Sequence, residues 1–120
     1  MWPPPTGPRP TWIWRRATRP VVNDAERTAA LYDTAVALLG EDRVGRLPAP
    51  FMGAEDFSYI LREVPGSMAF LGARPPGVPP EEAADLHSNL AVFDEDALAA
   101  GAAVYAAAAL RAGPAPAGSG

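Results

Sequence analysis

The sequence has no cysteine, and its only histidine is His87. Without cysteine, a disulfide, a thiolate nucleophile and a cysteine-ligated metal site are excluded. A metal site needs three or four nitrogen, oxygen or sulfur ligands, so one histidine can supply only one of them. No spacing of the carboxylates indicates that aspartate or glutamate supplies the others. The chain alone therefore predicts, at most, part of a metal site.

Positive charge is scarce, and lysine is missing. All ten basic residues are arginine, and the net charge is -4. Nucleic acids and anionic membranes favour clustered cations, so we expect neither as a partner. The longest apolar run, residues 102–110, is too short and too rich in alanine to cross a bilayer, and prolines interrupt any signal-like core at the N-terminus. These observations predict a soluble, cytoplasmic protein.

Helix and strand breakers are abundant but unevenly placed. Of the 15 prolines, five lie in the first ten residues. Residues 1–16 also contain every tryptophan and have neither a helical nor an alternating period, which predicts a disordered or out-of-frame leader. The alternative is a proline- and tryptophan-rich anchor that binds a partner. Residues 113–120 are predicted to be a flexible Gly/Pro tail.

Three helices are predicted from capping signals and apolar spacing. Asn23 and Glu26 have the spacing of a capping box, and a helix of about four turns follows and ends at Gly40. The second helix carries an apolar stripe at i, i+3, i+4 and i+7, formed by Phe57, Ile60, Leu61 and Val64. The third opens at the acids 94–96 and continues through an alanine-rich stretch.

Strands are fewer and shorter. Residues 68–72 form a short apolar run between turn residues, which predicts a buried strand. Residues 21–22 are predicted to be extended, and 43–47 to be a short strand or connector. The pattern favours an α/β class, although two short strands do not make a sheet that is stable by itself.

Two polar segments are candidates for a site. The first, residues 52–59, is a glycine turn that carries Glu55 and Asp56 into the second helix. The second is Leu86-His87-Ser88. Glu55 and Asp56 have another explanation, as acids that stabilise a helix N-terminus. A lone histidine is more often an ordinary surface residue than a ligand. If the segments meet, they form part of a polar site.

The order of these segments along the chain is similar to the order found in a known protein family. Taken together, they resemble the C-terminal part of the co-catalytic di-metal peptidases and amidohydrolases, a family that includes aminoacylases, hippurate hydrolases and carboxypeptidase G. The N-acyl amino acid amidohydrolase branch is the most similar. The resemblance extends from about residue 21 to residue 110. The matching segments are residues 22–24, 52–59, 64–72 and 86–88, followed by 93–98.

This resemblance implies a zinc-peptidase-type αβα catalytic domain that binds two divalent metals, zinc or manganese, and hydrolyses the amide bond of N-acyl amino acids or short peptides. Residues 17–24 would end a lid-domain strand, and 25–112 would be the C-terminal part of the catalytic domain. His87 would be a metal ligand. Gly53, Glu55 and Asp56 would line the site and orient its ligands. No catalytic residue is assigned to this chain.

The departures from the family pattern are large. Its other metal ligands, its general-base glutamate and its lid histidine all lie upstream of anything present here, and Leu90 stands where an arginine or aromatic is expected. We therefore expect a fragment that is inactive alone and whose partner is the missing upstream portion of the domain. A non-catalytic interaction module on the same scaffold is the alternative. A complete small enzyme is a third possibility.

Overall fold

The computed structural model describes residues 19–51, 53 and 55–113. In these residues the chain forms three α-helices, α1 (Ala25–Leu39), α2 (Phe57–Glu63) and α3 (Ala97–Ala112), with short 3-10 helices at Glu41–Arg43 and Pro80–Glu82. All three predicted helices are confirmed. No helix in the described ranges has the length and apolarity to cross a membrane. The predicted leader, 1–16, and residues 114–120 of the predicted tail lie outside the described residues.

Helix α1 begins one residue later than the sequence predicts. Its N-cap is Asp24, whose backbone is extended and whose Oδ1 accepts a hydrogen bond from the Arg27 amide at 2.9 Å. The predicted Asn23 cap is therefore wrong, because the Asn23 side chain is bonded to Met68 instead. The predicted stop at Gly40 is confirmed. Its φ is 91°, and its amide donates to the Val36 carbonyl at 2.9 Å.

Helices α1 and α3 pack against each other, whereas α2 packs on neither. The contact includes a polar link at Thr34, which is buried, with 2% of its surface exposed. The Thr34 hydroxyl donates to the Ala30 carbonyl at 2.7 Å and accepts from Arg111 Nη1 at 3.1 Å. A side chain near the end of α3 thus reaches the middle of α1.

The connector after α1 stays close to that helix. The guanidinium of Arg46 lies over the Tyr32 ring, with its carbon 4.7 Å from the ring centroid. This is the geometry of a cation–π contact. Residues 43–47 form no strand, so the connector alternative is the one observed.

The predicted buried strand at 68–72 is wrong, and the α/β class is not confirmed. The described part of the chain contains no strand and is helical with long connections. Residues 19–24, which the resemblance places at the end of a lid strand, are not in a strand either. A strand is defined by its pairing, and the described residues supply no neighbouring strand to pair with.

Apolar side chains are not gathered into a core. Among the described residues no hydrophobic side chain is buried. Ile60, which belongs to the apolar stripe predicted for α2, is 55% exposed. The reason is geometrical, because two packed helices cover one stripe on each other and leave their remaining apolar faces without a second layer. The exposed large side chains include Val22, Leu38, Phe51, Phe70, Leu71, Leu90, Val92, Phe93, Leu98, Tyr105 and Leu110.

Candidate functional site

Gly53 lies in a tight turn against an aromatic ring. Its amide donates to the Phe51 carbonyl at 3.1 Å. A Cβ at this position would lie 3.0 Å from Phe51 Cε1, which is closer than most real contacts. The Phe51 ring in turn packs on Phe70, with centroids 5.4 Å apart and ring planes at 58°. The absence of a side chain at Gly53 therefore lets the turn lie against this aromatic pair.

Glu55 and Asp56 stand at the beginning of α2. Glu55 is half-buried, and its Oε1 accepts from the Phe57 amide at 3.2 Å. Asp56 is exposed at the N-cap position, but its side chain makes no capping bond. The Glu55 carboxylate thus accepts a hydrogen bond from the first free amide of the helix. A negative charge at a helix N-terminus is stabilising. The helix-terminus explanation applies to Glu55, while the Asp56 carboxylate stays available.

Ser58 is the buried polar side chain closest in sequence to these acids. It is 2% exposed, and its hydroxyl has no hydrogen-bond partner among the described residues. Its backbone amide donates to the Glu55 carbonyl at 3.2 Å. Buried hydroxyls are usually bonded, so this position is unusual. The sequence gives no signal for Ser58, because no base stands next to it in the chain.

His87 lies on the surface, in a chain of tight turns. The Ser88 amide donates to the Asp85 carbonyl at 2.9 Å, and the Ala91 amide donates to the Ser88 carbonyl at 3.1 Å. The Ser88 hydroxyl also accepts from the Leu90 amide at 3.1 Å. These bonds shape the backbone on both sides of His87 and leave the imidazole exposed.

The two predicted halves of the site are not joined by any hydrogen bond between residues that the structure describes. The described residues also contain no group of three or more His, Asp or Glu side chains placed to hold a metal ion. His87 and its described surroundings therefore do not fit a two-metal site on their own.

Residues 66–73 are hydrogen-bonded at one end to the start of α1 and at the other to the residues that lead into α3. Asn23 holds one end, since its Nδ2 donates to the Met68 carbonyl at 3.0 Å and its Oδ1 accepts from the Met68 amide at 2.9 Å. The Asp24 amide also donates to the Gly66 carbonyl at 2.9 Å. At the other end, the Asp94 amide donates to the Ala73 carbonyl at 2.8 Å. The segment is thus tied to the start of α1 and to the approach to α3.

Two clefts flank this segment. One, of about 600 Å³, lies between residues 22–25 and 61–65. The other, of about 580 Å³, is lined by Leu71, Ala73 and residues that lead into α3. Neither cleft is lined by Gly53, Glu55, Asp56 or His87. These two clefts therefore do not gather the candidate residues around a substrate-sized space.

Sequence reasoning missed the role of Asn23. A side-chain amide has a donor and an acceptor side by side, as a backbone peptide does, and can therefore bond both polar groups of one residue. The sequence signal was present as an asparagine at the edge of a predicted extended segment. The pattern predicts a cap there instead, because a helix begins directly after Asn23.

The family is established by comparison with known proteins. The model of peptidase family M20/M25/M40 matches residues 9–111. The chain belongs to this family of hydrolases, which is generally metal-dependent, and the predicted resemblance is confirmed. The match begins within residues 1–16, the segment predicted to be a leader.

Three relatives illustrate the relationship. The IAA-amino acid hydrolase ILR1-like 2 of Arabidopsis thaliana is 33% identical over 100 residues, which are 81% of this chain and 21% of that protein. The ILR1-like 6 protein of the same plant is 35% identical over 95 residues, 77% of this chain and 19% of the relative. The probable hydrolase sll0100 of Synechocystis is 37% identical over 59 residues, 49% of this chain and 15% of the relative.

The chain thus spans about a fifth or less of the length of these relatives. Comparison with solved structures finds no significant match.

Proposed function

We propose that the chain is the C-terminal part of the catalytic domain of a metal-dependent amidohydrolase that acts on N-acyl amino acids or short peptides. The observation that carries this proposal is the family match over residues 9–111. Two relatives are named IAA-amino acid hydrolases, which favours an N-acyl amino acid as the class of substrate. A cytoplasmic location remains part of the proposal and rests on composition alone.

In this proposal His87 is one ligand of a metal site whose other ligands belong to another part of the catalytic domain. The exposed imidazole supports this role, because a ligand for an incomplete site has to be accessible. Asp56 lines the site with a carboxylate that makes no capping bond, and Glu55 and Gly53 fix the shape of its turn. The described residues do not complete a metal site, so no reaction step is assigned to this chain alone.

The alternative is a non-catalytic interaction module on the same scaffold. The exposed apolar surface favours it, because such surfaces mark interaction sites. The two functions differ in what happens to hydrolysis when the rest of a catalytic domain is present. A module would bind and leave hydrolysis unchanged, whereas a domain part would restore it through His87.

The test measures metal content and hydrolysis of hippurate for the full chain, His87→Ala and Asn89→Ala. Asn89 is exposed in the same run of turns and serves as the matched control. We expect weak zinc or manganese binding by the native chain and by Asn89→Ala, loss of that binding in His87→Ala, and no hydrolysis by any of them. Equal, tight metal binding in all three would remove His87 as a ligand. Chelator-sensitive hydrolysis by the native chain would contradict the proposal of an incomplete site.

A further inference from the structure

The cleft of about 580 Å³ beside the start of α3 combines an apolar lining with negative charge. Its apolar side chains are open to solvent, because Val92 is 71% exposed and Leu98 is 70% exposed. Asp94 and Glu95 also line it, and no basic residue of the described part of the chain does. An exposed apolar patch with a charged rim is typical of a binding site. The segment that fits this one carries apolar side chains next to positive charge.

The sequence contains such a segment in the leader, residues 1–16. Its residues 12–16 read Trp-Ile-Trp-Arg-Arg, so large apolar side chains are followed directly by two cations. The leader contains three arginines and no acid, so its side chains carry a charge of +3, whereas the whole chain carries -4. Residues 17–120 therefore carry -7. Opposite net charges on the two parts of the chain attract each other.

The leader is long enough to reach this cleft. The Asn23 side chain is bonded to Met68, and Met68 is three residues from Leu71, which lines the cleft. Three extended residues span about 10 Å, whereas the nine residues from Trp14 to Asn23 span up to about 30 Å. Trp14 can therefore reach the cleft while Asn23 keeps its bonds to Met68.

We propose that residues 12–16 of this chain dock in the cleft beside α3, with the two tryptophans against its apolar lining and the two arginines facing Asp94 and Glu95. This inference goes beyond the proposed function and does not depend on it. Tryptophan buries a large apolar area, and the planar guanidinium of arginine matches the geometry of a carboxylate. The docked segment covers apolar surface that the described residues leave exposed.

The other cleft, of about 600 Å³, is a poorer site for the same segment. Arg62 lines it together with Asp24 and Glu63, so it presents both signs of charge, whereas the cleft beside α3 presents only one. A guanidinium at the site repels the two arginines of the leader.

The leader of a second copy carries the same residues, but its docking depends on protein concentration. A leader on the same chain is held near its own cleft at an effective concentration in the millimolar range. Docking within one chain is therefore favoured over docking between two.

Tryptophan fluorescence reports on this docking, because all three tryptophans, Trp2, Trp12 and Trp14, lie in the leader. The full chain with Trp2→Phe emits from residues 12 and 14 alone. Its quenching by acrylamide is compared with that of a synthetic peptide of residues 1–16 carrying the same change. We expect a quenching constant at least about twofold lower in the full chain than in the peptide, because a tryptophan in a cleft has roughly half of its ring or more covered.

The first pair of variants tests the apolar lining and is made in the Trp2→Phe chain. Leu98→Gln removes an apolar side chain of the cleft. Leu110→Gln is the matched control, because Leu110 is an exposed leucine of the same helix that does not line the cleft. We expect the docking equilibrium constant to fall by about tenfold or more in Leu98→Gln, so that its quenching approaches that of the peptide. Quenching in Leu110→Gln should equal that of the unaltered cleft.

The second pair tests the charges. Glu95→Arg reverses a charge at the cleft, and Glu82→Arg makes the same change of net charge at an exposed acid outside it. We expect the docking equilibrium constant to fall by about two- to tenfold in Glu95→Arg, because a weak ion pair is replaced by a repulsion of similar size. Glu82→Arg should leave quenching unchanged. Circular dichroism of each variant checks that its helix content is retained.

Equal quenching of the full chain and the peptide would overturn the proposal. Protected tryptophans that respond equally to Leu98→Gln and Leu110→Gln, or equally to Glu95→Arg and Glu82→Arg, would place the leader elsewhere and also overturn it. Protection that develops only as the protein concentration rises, together with a dimer in analytical ultracentrifugation, would identify the cleft of a second copy as the docking site. That result would contradict docking within one chain.

Discussion

At the scale of single residues, a side chain makes the hydrogen bonds that a neighbouring strand makes in a sheet. The carboxamide of Asn23 bonds the amide and the carbonyl of Met68, the same two groups that a neighbouring strand would bond. Thr28 adds a further link, because its hydroxyl lies 3.1 Å from the Ser67 hydroxyl. The start of α1 is thereby joined to residues 66–68 without a ladder of backbone bonds.

Replacing Asn23 tests this link. Asn23→Ala removes both bonds, whereas Asn23→Asp keeps an acceptor for the Met68 amide and loses only the donor. A typical hydrogen bond contributes a net 0.5–1.5 kcal/mol, so we expect Met68 amide exchange to accelerate by about two- to tenfold in Asn23→Ala. Exchange at Met68 should stay close to the native rate in Asn23→Asp. An unchanged Met68 rate in Asn23→Ala would show that the carboxamide does not hold this segment.

At the scale of elements, local signals account for the helices. Apolar periodicity and the stop signal at Gly40 place the helices within a residue or two of where they occur. The predicted α1 cap was displaced by one residue because Asn23 and Asp24 are both good caps and only a distant partner, Met68, decides between them. A helix cap involves residues that are close in sequence. A residue that competes for the capping side chain, as Met68 does for Asn23, can be distant in sequence.

The end of α1 depends on a backbone conformation that favours glycine. Gly40 has φ 91° and ψ 152°, and a Cβ there would lie 2.8 Å from Asp42 Oδ1. We expect Gly40→Ala to destabilise this helix end by about 1–3 kcal/mol, the usual cost of such a conformation for a residue with a side chain. The measurement is helix content by circular dichroism together with exchange of the residue 40 amide.

Gly45→Ala is the matched control for this prediction. Nothing lies within 4 Å of a Cβ placed at Gly45, and its φ is not positive. We expect helix content and residue 40 exchange in Gly45→Ala to equal those of the native chain. Equal behaviour of the two variants would mean that the α1 stop does not require glycine.

At the scale of the whole molecule, the described residues lack an apolar core. Hydrophobic burial is the main favourable term in folding, and none of the described hydrophobic side chains is buried. We therefore expect the isolated chain to bind a hydrophobic dye such as ANS and to lose its helix signal gradually on heating. Joining it to the upstream part of a relative should abolish dye binding and give a single sharp transition. A sharp transition without dye binding in the isolated chain would contradict this.

The candidate site shows how far prediction could go at this scale. The composition limits the chain to one imidazole, so the sequence alone predicts only part of a metal site. That Glu55 bonds a helix amide while Asp56 makes no capping bond could not be read from the sequence, because both acids precede the same helix. Which of two adjacent carboxylates reaches an amide depends on backbone angles that neighbouring residue types do not determine.

The sequence alone determined the three helices, the scarcity of metal ligands and the kinship with peptidase family M20, because helical periodicity, composition and the order of motifs are properties of the chain itself. The tertiary structure decided that residues 68–72 pair with no strand in the described part of the chain, that the Asn23 side chain bonds Met68 and that neither of the two clefts is lined by a candidate residue. A strand, a buried side chain and a site each require a second segment to meet the first. Apolar spacing can indicate that a segment has a face to bury. Whether another segment covers that face depends on where all the segments lie in the folded chain.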